Sequence, residues 1–568
     1  MNGLAIGALA LLAAGTGACT GDRGGGDTAA QADGGASGDG GGTVTGSCDE
    51  LPAGITSRGI VTCADPSLRD TLGPYERIEV PDLPVATEDT GGEISFIHSV
   101  GLIVAELTGD DVVDLFLPMR GPDLLYIGQG DGSFVQADPD GTADPDGDMS
   151  FGGTAVDIDE DGDLDVVVSN MGHPDRVLIN DGRGNFTDGT PAAGLDQGDE
   201  YHESLVFGDI DGDGDLDLFE CNNAPGDGSG DYDDVLPDMN RIFRNDGGGH
   251  FTQDEDAIGG ELADGYTRIA LIEDLDHDGD KDVYIINHKP ERLGNQVAVQ
   301  TDPWVFEDGM QGSGLDVRIA GMGLGIGDLN GDGLMDLLMS GQAAMTLLES
   351  LGEGVWYDSA TARGLIMEDL TPDQQRVLAW GNDLADLDND GDLDAYVQFG
   401  RFEGIDPESE RGGPQPDALW LQGDDGLFTE VAEEWGVADL SIGRGVIVTD
   451  INQDGMLDLV KRSFDVGPEV YVSHCDDRSW LEVALRDAPP NTYAVGAVVE
   501  ITAGDRSWKR WLTAGSVGFA SGGPLTLHFG LDHVEVIDSL TVTWPDGQTD
   551  GFSDICVNQA ITVDRTAL

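Results

Sequence analysis

Between residues 95 and 474 short apolar runs alternate with acidic, glycine-bearing turns: Thr154-Ala155-Val156 precedes one such turn and Val166-Val167-Val168 follows it. Apolar runs this short, bounded by turn residues, predict strands rather than helices. About 20 to 30 residues after each acidic turn comes a second kind of turn, seen in Gly128 to Phe134, Asn180 to Phe186, Asn245 to Phe251 and Gly423 to Phe428. Asp-Gly and Gly-x-Phe between apolar runs predict hairpins with an inward aromatic. Each unit of about 50 to 65 residues therefore holds about four strands, the first two joined by the acidic turn. After Cys475 the acidic turns stop and short alternating strands continue. At the other end, the apolar run Leu4 to Leu12 is too short for a spanning helix and has the size of a secretory core.

The acidic turn is a nine-residue pattern, Asp-x-Asp-x-Asp-Gly-x-x-Asp. It runs through Asp157, Asp159, Asp161, Asp163 and Asp165, then through Asp209, Asp211, Asp213, Asp215 and Asp217. It returns at Asp274, Asp276, Asp278, Asp280 and Asp282, and at Asp386, Asp388, Asp390, Asp392 and Asp394. Two copies carry Asn in third place: Asp328, Asn330, Asp332, Leu334 and Asp336, and Asp450, Asn452, Asp454, Met456 and Asp458. A seventh, degenerate copy, Glu106, Thr108, Asp110 and Asp114, lacks the glycine at its sixth place. Starts are 51, 52, 65, 54, 58 and 64 residues apart, the period of an array of like units.

This spacing suits calcium, which takes six to eight hard oxygens at about 2.3–2.6 Å. Carboxylates at positions 1, 3 and 5 of a tight turn aim at one point, position 7 offers its carbonyl, and position 9 adds a carboxylate. Glycine at position 6 allows the left-handed backbone that reverses the chain. Without a cation, so many carboxylates in one turn would repel one another. No Glu stands in the twelfth place and no long amphipathic helices flank the turns, so an EF-hand does not fit. The expectation is about six calcium ions, with a weaker seventh at Glu106, Thr108, Asp110 and Asp114.

Composition agrees. With 27 Lys plus Arg against 110 Asp plus Glu, the 568-residue chain carries a formal charge of −83, which repels nucleic-acid and anionic-lipid phosphates. The 39% hydrophobic content supports real cores, and 86 glycines point to many tight turns. No nucleic-acid partner is expected.

Phe151-Gly152 and Phe207-Gly208 beside the acidic turns resemble FG-GAP and VCBS repeats, relatives of the integrin α headpiece propeller, over about Ser95 to His474. The resemblance implies structural calcium in the acidic loops. Ala494 to Ile501, Ala514 to Ser521, Leu527-His528-Phe529-Gly530-Leu531 and Val542 to Gly547 resemble the ASPIC/UnbV domain, which follows such propellers in the cartilage acidic protein family. Gly522-Gly523 departs from that family's frequent polar residue, and His528 reads as packed rather than catalytic. The fold class expected is all-β: a seven-bladed β-propeller with calcium loops, then a small sandwich-like C-terminal domain.

The expected organisation is a signal peptide at 1–19, a Gly/Asp-rich tether at 20–47, an N-terminal segment at 48–94, the propeller at 95–474 and the ASPIC/UnbV domain at 475–568. Thr16-Gly17-Ala18-Cys19 resembles a bacterial lipoprotein cleavage box, although Thr16 stands where Leu is usual and no Lys or Arg precedes the apolar run. The resemblance implies a lipid on Cys19 as the one membrane link, with plain signal cleavage the alternative. In an exported chain, Cys48 with Cys63 and Cys475 with Cys556 are candidate bridges, leaving Cys221 as a packed thiol.

No Walker loop, His-Glu-x-x-His or Gly-x-Ser-x-Gly occurs. The loops at the other end of the blades hold several of the scarce basic groups, Arg120, His173, Lys289 and Arg401, and two are long, Asn222 to Asn240 and Gly400 to Asp417. Long loops on a rigid ring are where binding usually resides. The expected function is adhesion, or interaction with a protein or glycan at the cell surface. The alternatives are a lyase-like polysaccharide enzyme using this end, and an envelope assembly protein without a soluble ligand.

Overall fold

The structure, a computed structural model, describes residues 51–568 except 64–66, 81–99, 138–148, 224–237, 368–376, 402–414 and positions 79, 120, 197, 199, 310, 343 and 465. Seven four-stranded antiparallel sheets follow one another from Ile103 to Ser473. In the second, Ser150–Val156, Asp165–Asn170, Arg176–Asn180 and Phe186–Asp188 pair in chain order. The strands alternate little in burial, since first and second strands are covered on both faces: Asp165–Asn170 is buried throughout. Neighbouring sheets pack face to face, as Val283 and Ile285 of the fourth do on Val206 and Phe219 of the third. Leu102 and Val104 of the first sheet share a core with Ile447 and Val460 of the seventh, which closes the ring. The propeller expected from the repeats is therefore present, with the acidic turns at one end of the blades.

The last blade is completed by the start of the chain. Tyr75–Ile78 lies antiparallel to Glu469–Ser473 as its outer strand, which the repeat pattern does not reveal because this strand precedes the first repeat. The C-terminal domain is a sandwich of two four-stranded sheets. One contains Arg506–Trp511, Val498–Ala503, Val536–Thr543 and Thr549–Cys556; the other contains Gln559–Asp564, Trp480–Arg486 and Thr526–Gly530, with Ile55–Ser57 added at its edge. The expected cysteine pairing is corrected: Cys63 bonds Cys475, over 412 residues, so neither a Cys48–Cys63 nor a Cys475–Cys556 bridge forms. The physical reason is the path of the N-terminal segment, which crosses from the sandwich to the seventh blade past residue 475. Cys556 is also disulfide-bonded, and Cys221 is free and buried. Residues 1–47, including Cys19, as well as Cys48 and Arg120, lie outside the described residues. Among the described residues no helix is long and apolar enough to cross a membrane.

Between its strands Arg506–Trp511 and Thr526–Gly530 the sandwich sends a hairpin, residues 514–522, into the axis of the ring. Gly515 pairs with Val206 of the third blade and Gly522 with Ile103 of the first. At the tip, Val446 donates to the Gly518 carbonyl at 3.2 Å and Gly153 to the Ala520 carbonyl at 3.3 Å. Phe519 packs edge-on against Phe151 and Trp380, at centroid distances of 5.9 and 5.0 Å, with the Arg268 guanidinium 5.7 Å away. Glycines let it in: a Cβ on Gly381 would lie 2.7 Å from the Gly518 oxygen, and one on Gly152 2.7 Å from the Ala520 Cβ. Gly101 and Gly445 hold the same repeat position, five residues before their loops. Phe207-Gly208 does not: it abuts its loop directly, so the two Phe-Gly pairs, alike in sequence, hold different places in the blade.

Candidate functional site

Each acidic loop is a backbone nest wrapped round its first carboxylate. In the second blade Asp157 accepts the N–H groups of Asp161 and Gly162, both at 3.1 Å, and in the sixth Asp386 accepts those of Asp390 and Gly391 at 3.1 and 2.8 Å. Asp274, Asp328 and Asp450 are served by the same two positions, and Asp209 by Gly212 and Gly214. Position 5 carries its own brace: Asp161, Asp213, Asp278, Asp332, Asp390 and Asp454 accept the N–H of residues 163, 215, 280, 334, 392 and 456. Left-handed backbone occurs at position 6, as in Gly162 and Gly391, and also at position 4, where Glu160, His277, Asn389 and Gln453 adopt it without being glycine.

The degenerate first loop folds alike. Glu106 accepts the N–H groups of Thr108, Gly109 and Asp110, and Asp111 takes the left-handed conformation, φ 65°, in place of the missing glycine.

Position 9 does work that spacing alone does not reveal. In all seven loops one oxygen of Asp114, Asp165, Asp217, Asp282, Asp336, Asp394 or Asp458 accepts the N–H of position 2, at 2.9 or 3.0 Å. The other oxygen accepts an N–H from the last residue of the third strand, or in the fourth blade from Gln300 two residues before it, between 2.6 and 3.0 Å. These aspartates tie loop to blade whether or not they also bind an ion.

Beside them, the side-chain amide of Gln300 donates to Ile210 of the preceding blade at 2.9 Å and to Lys281 at 3.0 Å. Asn180 and Gln422 bridge neighbouring blades in the same way. Replacing Gln300 by Leu leaves the Ile210 and Lys281 carbonyls and the Trp304 N–H without this partner, for an expected loss of about 1–3 kcal/mol in a denaturant titration, against no more than a few tenths for an exposed Gln311→Leu control.

In four loops the acids converge. One oxygen each from Asp157, Asp159 and Asp165 lies within 4.8 Å of the others, as in Asp209, Asp211 and Asp217, in Asp274, Asp276 and Asp282, and in Asp386, Asp388 and Asp394. In the fifth and seventh loops Asn330 and Asn452 take the third place, accepting the N–H of Asp332 and Asp454 at 2.9 and 3.1 Å. Burial, and then neighbouring carboxylates (Glu349 first in the case of Asp336), push Asp165, Asp282 and Asp336 up to about 7 and Asp217 up to about 8. Asp386, Asp394, Asp450 and Asp458 are also held well above the usual carboxylate range, again chiefly by burial. Oxygen-only clusters of this kind can hold a hard metal ion.

The sandwich lies over these loops. Thr492 donates to Asp157, Arg478 meets Asp388 at 2.6 Å, and a Cβ on Gly214 would touch Pro490 at 3.5 Å. Asp386 and Asp450 are 2% and 6% exposed, whereas His277, Asp278, Gly279 and Asp280 of the fourth loop are open to solvent.

At the opposite end His173 is exposed, Lys289 and Arg401 are half-buried, and the long loops fall largely outside the described residues. Two buried ion networks that the sequence pattern does not signal stand there. His202 bonds Asp175 at 2.6 Å through Nδ1, and Arg241 holds Glu220 at 2.6 Å. Burial alone would lower His202, but the Asp175 and Glu220 charges lift it to about 10. Asp175, His202 and Glu220 lie close enough to share a metal, yet the Arg241 guanidinium already supplies the positive charge. Between the sixth and seventh blades, fully buried Lys461 pairs with Asp417 at 2.6 Å. His528 is packed, as expected: its ring stacks on Trp480 and bonds the Gly455 carbonyl.

The FG-GAP-like repeat family matches residues 107–168, 157–220 and 328–397, and the ASPIC and UnbV family matches residues 487–567. The chain thus carries FG-GAP-like repeats followed by an ASPIC and UnbV domain. It is similar to cartilage acidic protein 1 of Mus musculus, 23% identical over 470 residues, covering 70% of this chain and 71% of that protein. The Xenopus tropicalis protein is 24% identical over 475 residues, covering 70% and 71%. Among solved structures, the BP39L lectin from Burkholderia pseudomallei is similar with a TM-score of 0.41 at 12% identity, covering 67% of this chain and 98% of that one. Bacillus licheniformis rhamnogalacturonan lyase PL11 gives a TM-score of 0.36 at 13% identity, covering 71% and 76%.

Proposed function

We propose that this chain is an exported calcium-binding propeller, tethered by a lipid at Cys19, that engages a protein or glycan at the cell surface through the end of the ring remote from the acidic loops. The observation that carries this reading is the sandwich itself. Among the described residues its contacts fall on the acidic-loop end and, through the hairpin, on the axis, which favours the opposite rim as the end free for a ligand. Calcium is the ion that the oxygen clusters suit, held by positions 1, 3, 5 and 9 with the position 7 carbonyl.

The scarce cations Arg120, His173, Lys289 and Arg401 on so acidic a body favour an anionic ligand. A glycan array with calcium present, read together with an assay for unsaturated sugar products, separates holding a ligand from cleaving it. Once a ligand is found, joint substitution of the four residues by Ala is expected to weaken it about tenfold or more, in line with loss of several charged hydrogen bonds. Unchanged affinity would place the ligand elsewhere.

A further inference from the structure

The sandwich reads the acidic loops at one repeated atom. Tyr493 Oη donates to the Gly162 carbonyl at 2.9 Å, Lys509 Nζ to Gly333 at 2.8 Å, Trp508 Nε1 to Gly391 at 2.9 Å and His528 Nε2 to Gly455 at 3.0 Å. All four acceptors are the sixth residue of their loops, in the second, fifth, sixth and seventh blades. The donors come from three segments of the sandwich, Tyr493, the adjacent Trp508 and Lys509 of one strand, and His528, so the match is to the spacing of the blades and not to one local turn.

Each of these glycines is left-handed, with φ of 98°, 81°, 95° and 91°, and each donates its own N–H to the first carboxylate of its loop, at 3.1, 2.9, 2.8 and 2.8 Å. The peptide that carries each of these carbonyls donates its own N–H, that of position 7, to the carboxylate of position 5, so the carbonyl is held between two carboxylates that would face a cation. Among the described residues no side chain of the sandwich donates to the matching Gly214 and Gly279 of the third and fourth blades.

We propose that cation occupancy of the loops and docking of the sandwich are one coupled equilibrium, in which the loaded loops present the glycine carbonyls and the docked sandwich tightens the loops in return. The proposal rests on the calcium reading above. When the cation leaves, the first carboxylates repel their neighbours, the peptide following each glycine turns, and the sandwich and its hairpin loosen together while the blades stay paired. Reciprocity follows from linkage: whatever factor calcium adds to docking, docking adds to calcium. The Cys63–Cys475 bridge and the strand at Tyr75–Ile78 keep the loosened domain attached, so redocking is intramolecular.

Hydrogen exchange of the full, disulfide-intact chain, with bound calcium counted on the same sample by equilibrium dialysis, tests this. Chelation is expected to speed exchange across residues 506–522 by roughly tenfold or more, while second strands such as Asp165–Asn170 stay protected. A Tyr493→Phe, Trp508→Phe and Lys509→Met variant, which touches no carboxylate, is expected to need roughly threefold or more calcium for half-protection. Should the triple variant not fold, Lys509→Met alone is expected to shift the same midpoint in the same direction.

Calcium that binds and leaves without changing exchange at 506–522 overturns the coupling but not the calcium reading. Absence of bound calcium overturns both. Exchange rising in all blades together, or an unshifted calcium midpoint in the variants, also overturns the coupling.

Discussion

On the proposed calcium reading, chelation at about pH 8 is expected to lower the melting temperature steeply, and the same treatment at about pH 5.5 to lower it little. Each bound ion contributes about 2.7 kcal/mol when free calcium is a hundredfold above its dissociation constant, and the loops are numerous. The pH dependence follows from the carboxylates. Burial first, and then like charges, raise Asp165, Asp282 and Asp336 to about 7 and Asp217 to about 8, above an unfolded value of about 3.9. A raised carboxylate favours the fold below its unfolded pKa, and that contribution is lost as pH climbs through the folded value. The chelated protein is thus least stable near pH 8, where these groups must ionise unpaired.

Calcium runs the other way, because it binds the ionised form and competes with protons on acidification. The difference between loaded and chelated melts is therefore largest in mild alkali. Equal differences at both pH values, or none, would refute metal-held loops.

The second large effect is expected from Phe519→Ala. Phe519 is 1% exposed at the tip of the hairpin, against Phe151, Trp380 and Arg268, and it joins blades far apart in the chain. Truncating a buried Phe costs about 3–5 kcal/mol, and the glycine-lined axis leaves few side chains to collapse into the space. A urea midpoint measured with saturating calcium reads this, with Phe519→Leu retaining most of the stability. A midpoint within a few tenths of a kcal/mol of the parent would mean that the hairpin does not pack at the axis in solution.

The loops were legible because their chemistry is written locally: nine residues contain both the acids and the turn. Repetition did the rest, since copies at a steady period imply like blades. Even the degenerate loop folds alike, and the reason its glycine is dispensable, left-handed Asp111, is a backbone state that residue type alone does not announce. The hairpin, the pairing of Cys63 with Cys475 and the outer strand at Tyr75–Ile78 were not legible. Each joins residues hundreds of positions apart, where no periodicity survives. Gly152 and Gly381 look like ordinary strand glycines until the hairpin that requires them is seen. The spacing marks position 9 as a ligand, and its second task, bracing both loop and third strand, appears only when the strands are paired.

The two chain ends are woven together: Ile55–Ser57 extends a sheet otherwise built from residues beyond 479, and Tyr75–Ile78 finishes the blade that began at Gly443. Neither half can be completed while the other is still being made. A polypeptide emerging from its N-terminus must carry its first strands exposed until almost the last residue arrives, so its final assembly step is late and of high contact order. On the exported reading proposed above, this delay would be an advantage: contacts that would block passage through a membrane would be made only on the far side.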